Sequence, residues 1–214
     1  MSFLEALNWR YATKRMTGES VPEEKIHNIL EAVRLAPTVG GIQPFNVVVV
    51  KNKELLKQIQ PIANNQPQIP QASHLLVFAA WDDITTEHIV EFFDRTSSER
   101  NLPEGTIDGF KNGMIENFGK LSKEAKFELA ARQAFIALGY ATAAAAVEHV
   151  DATPMGGFNG PELDKFLGLD KQGLRSVVIM PVGYRDTATD PIVNMKKIRR
   201  AKEHFIIEMN QIII

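Results

Sequence analysis

The sequence of 214 residues contains no cysteine. That excludes a disulfide framework, a thiolate nucleophile, Cys-ligated zinc and an iron–sulfur cluster together. Charge of one sign is missing too: 24 Lys and Arg against 26 Asp and Glu leave a net charge of −2. A nucleic-acid-binding field over the whole molecule is therefore not expected. Nor is there a hydrophobic run of membrane length. The Ala-rich uncharged stretch QAFIALGYATAAAAV, between Arg132 and Glu148, falls short of the roughly twenty residues a span requires and carries Gln133, Tyr140 and Thr142. It reads as a buried core helix. The N-terminus, MSFLEALNWR, sets Glu5 among its apolar residues and has no basic leader, so no signal peptide is expected. A single folded domain over residues 1–214, cytoplasmic and not membrane-bound, suits these absences.

Several sites are missing as motifs. The chain has no G-x-G-x-x-G, no P-loop, no G-x-S-x-G and no H-E-x-x-H. Histidines 27, 74, 88, 149 and 204 lie too far apart for a short metal-ligand motif, so no metal site is expected. Asp82-Asp83 reads as turn chemistry.

What is present is a set of helical and strand patterns. Ser2 and Glu5 have capping-box spacing and open a helix through about Arg10. Ser20 with Glu23 marks a second start, and Ile26, Ile29, Leu30 and Val33 recur at helical spacing over 22–35. NVVVVK (46–51), HLLVFAAW (74–81) and RSVVIMPVGY (175–184) read as strands, buried on both faces because their apolar runs are continuous. Helices are expected over 85–100, 107–119 and 122–150, the last Ala-rich and central, with a short one after Pro161. NNQPQIPQ (64–71) reads as a loop. This order does not alternate regularly and predicts an α+β core with helices packed over a small sheet.

Three segments have unusual polarity. WRYATKR carries Arg10, Lys14 and Arg15 at a helix end, an arrangement that a solvated basic face also explains. LAPTVGGIQPF (35–45) brackets two glycines with two prolines. It is either a plain turn or a backbone surface that a flat ligand can approach closely. NMKKIRRAKEHF (194–205) packs five cations into Lys196–Lys202, usually a solvated face or a weak patch for an acidic partner.

In register, R-Y-A-T-K-R, A-P-T-V-G-G-I-Q-P-F leading into V-V-V-V, D-A-T-P-M-G-G-F (151–158) and a C-terminal K-x-R (Lys197, Arg199) resemble the FMN-dependent nitroreductase family over essentially the whole chain. The resemblance implies a small central mixed sheet covered by helices, in an intertwined homodimer with FMN at the subunit interface. It implies an oxidoreductase that takes hydride from NADH or NADPH through flavin N5 and passes two electrons, by ping-pong, to a small acceptor such as a nitroaromatic or a quinone. No side chain is expected to act as a catalytic acid. Alternatives are family members with other flavin chemistry, reductive dehalogenation or flavin fragmentation, and a non-enzymatic protein that binds through Lys196–Lys202.

The same resemblance suggests site residues. Arg10, Lys197 and Arg199 correspond to the phosphate ligands, with Tyr11 and Ala12 beside them; Ala12 stands where a hydroxyl is usual. Lys14 corresponds to the residue at the N1 and C2 carbonyl edge of the ring, Asn65 to one at the pyrimidine edge. Gln68 replaces a basic residue of some relatives, and Gln133 corresponds to a further polar residue of the site. Pro37, Thr38, Val39, Gly41 and Gln43 form the second segment, in which Gly41 replaces an amide. Pro154, Met155, Gly156 and Gly157 form the turn that sets a backbone N–H against N5. Phe110 and Phe118 are candidates for an acceptor channel, and the apolar tail IIEMNQIII (206–214) for packing across the partner.

Overall fold

The computed structural model describes residues 1–209. The end of the apolar tail, 210–214, lies outside the described residues, and with it that part of the packing expected of the tail. Helix α1 (Phe3–Trp9) starts where its sequence says. Ser2 Oγ accepts the Glu5 N–H at 3.3 Å and the Glu5 carboxylate accepts the Ser2 N–H at 2.6 Å. Helix α2 (Glu23–Arg34) buries Ile26, Ile29 and Val33. It does not use Ser20 as a cap. Pro22 occupies that position without a side-chain bond, while Glu23 and Glu24 sit in the first turn, where the helix dipole favours negative charge.

Strand β1 (Phe45–Val50) is followed by α3 (Lys53–Ile62), a helix the sequence reading passed over. Asn52 caps it, and Leu56, Ile59 and Ile62 bury one face. The stretch 64–71, expected as a loop, contains a one-turn helix α4 (Gln68–Gln71). The ring of Pro67 fixes helical φ just before it. Then follow β2 (His74–Trp81), α5 (Thr86–Glu99), α6 (Asp108–Gly119), the long α7 (Lys123–Val147), and a two-residue β3 (Asp151–Ala152). Helix α8 (Gly160–Leu167) includes Pro161 in its first turn, where the missing N–H costs nothing. Strand β4 (Leu174–Gly183) and a short α9 (Lys202–Phe205) complete the order.

Among the described residues the strands form one sheet, ordered β1-β2-β4-β3. Every pairing in it is antiparallel, which corrects the expected mixed sheet. The reason is local. The end of β1 and the start of β2 are partners (Val50 opposite Leu75), so α3 and α4 return the chain at the same end of the sheet. A parallel neighbour would need a crossover to the opposite end.

Strand β2 is buried on both faces, as its unbroken apolar run requires. On one face Leu76, Phe78 and Met180 pack under α2 and α7. Four buried alanines of α7 (134, 137, 141 and 145) present small side chains to this layer. On the other face Leu75, Val77 and Ile179 pack with Leu56 and Ile59 of α3 and Leu163 of α8. Helices α5 and α6 cover the first half of α7 through Ile89, Phe93 and Phe127. The outer stripe of α7 keeps Phe135, Ile136, Tyr140 and Val147 exposed, next to exposed Phe3 and Leu4 of α1. No described helix is long and apolar enough to cross a membrane.

Candidate functional site

After α1 the chain turns extended at Arg10 and is laced to the segment that follows β4. Thr17 N–H donates to the Tyr184 carbonyl at 2.9 Å, and Asp186 N–H to the Arg15 carbonyl at 3.1 Å. Asp190 is the knot of this lacing. Its Oδ2 accepts the Tyr11 hydroxyl (2.9 Å), the Thr13 hydroxyl (2.5 Å) and the Lys14 N–H (3.0 Å). Burial works against a charge on Asp190. The hydrogen bonds from Thr13, the Ile192 and Lys14 N–H groups and Tyr11 overcome it and hold the carboxyl below its usual range.

Four cations gather here from both ends of the chain. Lys197 Nζ donates to the carbonyls of Leu7 (2.6 Å) and Asn8 (2.9 Å), the negative end of α1. Arg185 is held by Asp151, with Nη2 2.6 Å and Nε 2.9 Å from Oδ1, and lies over the rings of Trp9 (4.2 Å) and Tyr11 (4.5 Å). The buried Nε of Arg10 has no hydrogen-bond partner among the described residues. Burial, and then the positive field of Arg199, push the Arg10 guanidinium below its ordinary pKa. Burial, then Arg10, Arg199 and Arg185, do the same to Lys197. Among the described residues the one carboxylate acting on Arg10 is Asp151, already committed to Arg185. The cluster is short of negative charge.

Two further predicted segments join this region. Thr153 Oγ1 donates to the Thr13 carbonyl at 3.1 Å, tying the 153–157 turn to the N-terminal strip. Met155 is buried and bridges to Ile179 of β4, while Gly156 and Gly157 are exposed; their N–H groups donate to nothing among the described residues. Asn64 Nδ2 and Gln66 Nε2 both donate to the Gly157 carbonyl at 3.0 Å, which clasps the Asn65 loop to that turn. Asn64 and Asn65 both take φ of 55°, the left-handed conformation that Asn tolerates better than most residues. Met16 N–H donates to Gln71 Oε1 at 3.1 Å. Lys14 and Asn65 are exposed, Tyr11, Ala12 and Pro154 half-buried, and Gln68 is 2% exposed. Gln68 is thus a buried residue of α4, set apart from the exposed predicted positions.

The 37–43 segment is a separate cluster. Val39–Gly41 makes a 3-10 turn in which Gly40 (φ 64°) and Gly41 (φ 80°) need left-handed backbone. Gln133, 5% exposed on α7, accepts the Val39 N–H through Oε1 at 2.9 Å. Thr38 Oγ1 accepts the Gln43 N–H at 3.2 Å, and Gln43 Nε2 donates to the Arg34 carbonyl at 2.7 Å. A cavity of about 910 Å³ beside the turn is lined by Gly40, Gly41, Phe92, Phe110 and Met114. Phe110 is 76% exposed, whereas Phe118 packs against the core under α5 and α6. At 1.5 Å per residue, Gln133 lies roughly 21 Å along α7 from Val147, near which Asp151 and the cation cluster begin. Within one chain the two clusters stay apart.

Sequence reasoning missed Arg185, Asp190, Asn64 and Gln66. Arg185 had a signal: a cation directly after a buried strand, in a molecule whose Asp151 needs a partner. Asp190 had none, since its role depends on a contact across almost the whole chain.

A four-stranded antiparallel sheet between helical layers, with a basic cluster where the two ends of the chain meet, defines an α+β fold that gathers positive charge at one place. The Nitroreductase family model matches residues 7–184, and the chain belongs to that family. YfkO of Bacillus subtilis strain 168, provisionally named an NAD(P)H nitroreductase, is 30% identical over 195 residues, 85% of this chain and 88% of its own. The crystal structure of YdfN from Bacillus subtilis, also provisionally named a nitroreductase, matches with a TM-score of 0.86 at 19% identity, over 97% of this chain and 98% of that one. A similarly named protein of Exiguobacterium sibiricum, solved in complex with FMN, matches with a TM-score of 0.81 at 19% identity, over 97% of each chain.

Proposed function

We propose that this chain is an FMN-dependent NAD(P)H oxidoreductase that works as a homodimer and reduces small acceptors such as nitroaromatics or quinones. The observation that carries the reading is the cluster of Arg10, Arg185, Lys197 and Arg199 around Asp151, which is committed to Arg185, with Arg10 Nε left unpartnered among the described residues. A phosphate monoester has the charge and the acceptor oxygens this cluster lacks. The FMN complex of the Exiguobacterium relative and the NAD(P)H nitroreductase name of YfkO support the same choice.

Arg10, Lys197 and Arg199 would hold the phosphate, with Arg185 adding its field. Lys14 would supply positive charge at the electron-rich edge of the ring, and the Asn65 loop a polar wall. The free N–H groups of Gly156 or Gly157 would donate toward the reactive nitrogen. Bound there, FMN supplies the capacity to accept hydride from a nicotinamide and pass two electrons on. The Thr38–Gln43 turn and Gln133 of a second copy would close the site. Their distance from the cations within one chain is what calls for that copy.

The test is direct. Purified protein should be yellow, or take up added FMN, and under anaerobic conditions NADH or NADPH should bleach the flavin band, with a nitroarene or a quinone restoring it. Colourless protein that takes up no FMN overturns the reading.

A further inference from the structure

A second cavity, of about 510 Å³, adjoins the one beside the Gly40–Gly41 turn, and Arg34, Gln43, Phe92 and Arg95 line both. The two make one groove with unlike ends. At one end stand Phe45 and the Trp81–His88 pair. The Trp81 indole donates to Asn46 Oδ1 at 3.1 Å, and its ring centroid lies 4.2 Å from that of His88. At the other end stands Arg100, which caps α5, with Arg95 and Arg34 between the two ends.

The arginines differ in how they are occupied. Arg34 is paired with Glu31. Arg95 has Glu91 and Glu99 one turn away on either side, a spacing at which ion pairs form on helices. It pairs with neither, and Arg100 is also without an ionic partner among the described residues. Two free guanidinium groups beside an aromatic wall match a nucleotide whose sugar carries a phosphate. The planar fork of Arg takes phosphate oxygens two at a time, and aromatic faces take a purine.

We propose that this groove seats the adenosine end of the nicotinamide donor, with Arg95 and Arg100 gripping a phosphate on the ribose 2′ position, so that the donor is NADPH. The proposal rests on the flavin reading above, in which the Thr38–Gln43 turn of a second copy closes the site. Glu91 and Glu99 also line the groove, and a carboxylate there would accept a ribose hydroxyl from the unphosphorylated donor. Arg34 already has Glu31, whereas Arg95 and Arg100 pair with neither Glu91 nor Glu99 and so keep their donors for phosphate oxygens.

Calorimetric titration of the protein as purified with 2′,5′-ADP and with 5′-AMP tests this without any flavin turnover. A failed flavin reading would appear separately, as colourless protein. Charge-assisted hydrogen bonds of ordinary strength predict that 2′,5′-ADP binds about tenfold tighter than 5′-AMP. That preference should weaken as salt is raised, and should fall about fivefold or more in R95S and in R100S. Both side chains are exposed, so the fold should survive either change. R95K should keep part of the preference, because it retains charge and loses the fork. Equal affinities, tighter binding of 5′-AMP, no binding of either, or a preference that survives both serine substitutions overturns the proposal.

Discussion

At the scale of single residues, Asp190 decides whether the two ends of the chain meet. It accepts from Tyr11, Thr13 and the Lys14 backbone, and through them fixes the strip that carries Arg10 and Lys14. Asp190→Asn removes the charge and turns an amide N–H toward groups that are themselves donors. With hydrogen bonds to charged groups worth about 1.5–3 kcal/mol, the variant should lose about 2 kcal/mol. For a chain of this size that is roughly 4–8 °C in Tm. The pH dependence has a definite sign. A carboxyl whose folded pKa is depressed contributes stability above its unfolded pKa, about 3.9 for Asp, and loses it as pH falls through the folded value. The gap in Tm between wild type and D190N should be full at pH 7 and close below about pH 4. A gap that stays constant down to pH 3, followed by scanning calorimetry, contradicts this account. On the proposed reading FMN affinity should fall with the substitution, since the strip that carries Arg10 and Lys14 loses its anchor.

At the scale of elements, α7 holds the 38–43 turn through one hydrogen bond. Gln133 is nearly buried, and its carbonyl takes up the Val39 N–H. Gln133→Leu keeps similar volume but orphans that donor, at a cost of about 1 kcal/mol for a partly exposed group. Amide exchange at Val39 should then speed up by about fivefold, the factor that 1 kcal/mol of local opening represents. Exchange rates equal to wild type would mean that the turn is held by Thr38 and Gln43 alone. Elements of this kind were unequally legible in the sequence. The runs 46–51, 74–81 and 175–184 became strands almost residue for residue, because buried β-branched and aromatic runs leave little choice. Helix α3 was missed although it was legible: Asn52 has N-cap chemistry, and Leu56, Ile59 and Ile62 recur at helical spacing on either side of Pro61. The direction of strand pairing was not readable either, since it depends on which end of the sheet α3 and α4 return to. In the candidate site, Arg10, Lys197 and Arg199 could be picked out by charge. Arg185 and Asp190 act through contacts far apart in sequence.

At the scale of the whole molecule, the geometry of α7 asks for a second copy. Its outer stripe exposes Phe135, Ile136, Tyr140 and Val147, and α1 adds Phe3 and Leu4 beside it. These flank an apolar cavity of about 580 Å³ lined by Phe3, Ile136, Tyr140 and Val147. An apolar patch on this scale marks an interaction surface. The two halves of the candidate site are tied to α7 near Gln133 and beyond Val147, and Tyr140 stands midway between those positions. If two copies of α7 pair antiparallel about a two-fold axis near Tyr140, the Gln133 end of each falls beside the Val147 end of the other, as an isologous interface requires. One copy's cations then face the other copy's Thr38–Gln43 turn, and two complete sites form. Ile136→Glu sets a carboxylate into the middle of that surface. Because Ile136 is 41% exposed in the single chain, the substitution should leave the circular dichroism spectrum of the fold unchanged. In sedimentation velocity the wild type should run as a dimer and I136E as a single chain, and I136E should lose its flavin on gel filtration while wild type keeps it. A variant that stays dimeric and yellow would move the interface away from α7; one that becomes monomeric yet holds FMN as tightly as wild type would show that the site is complete within one chain.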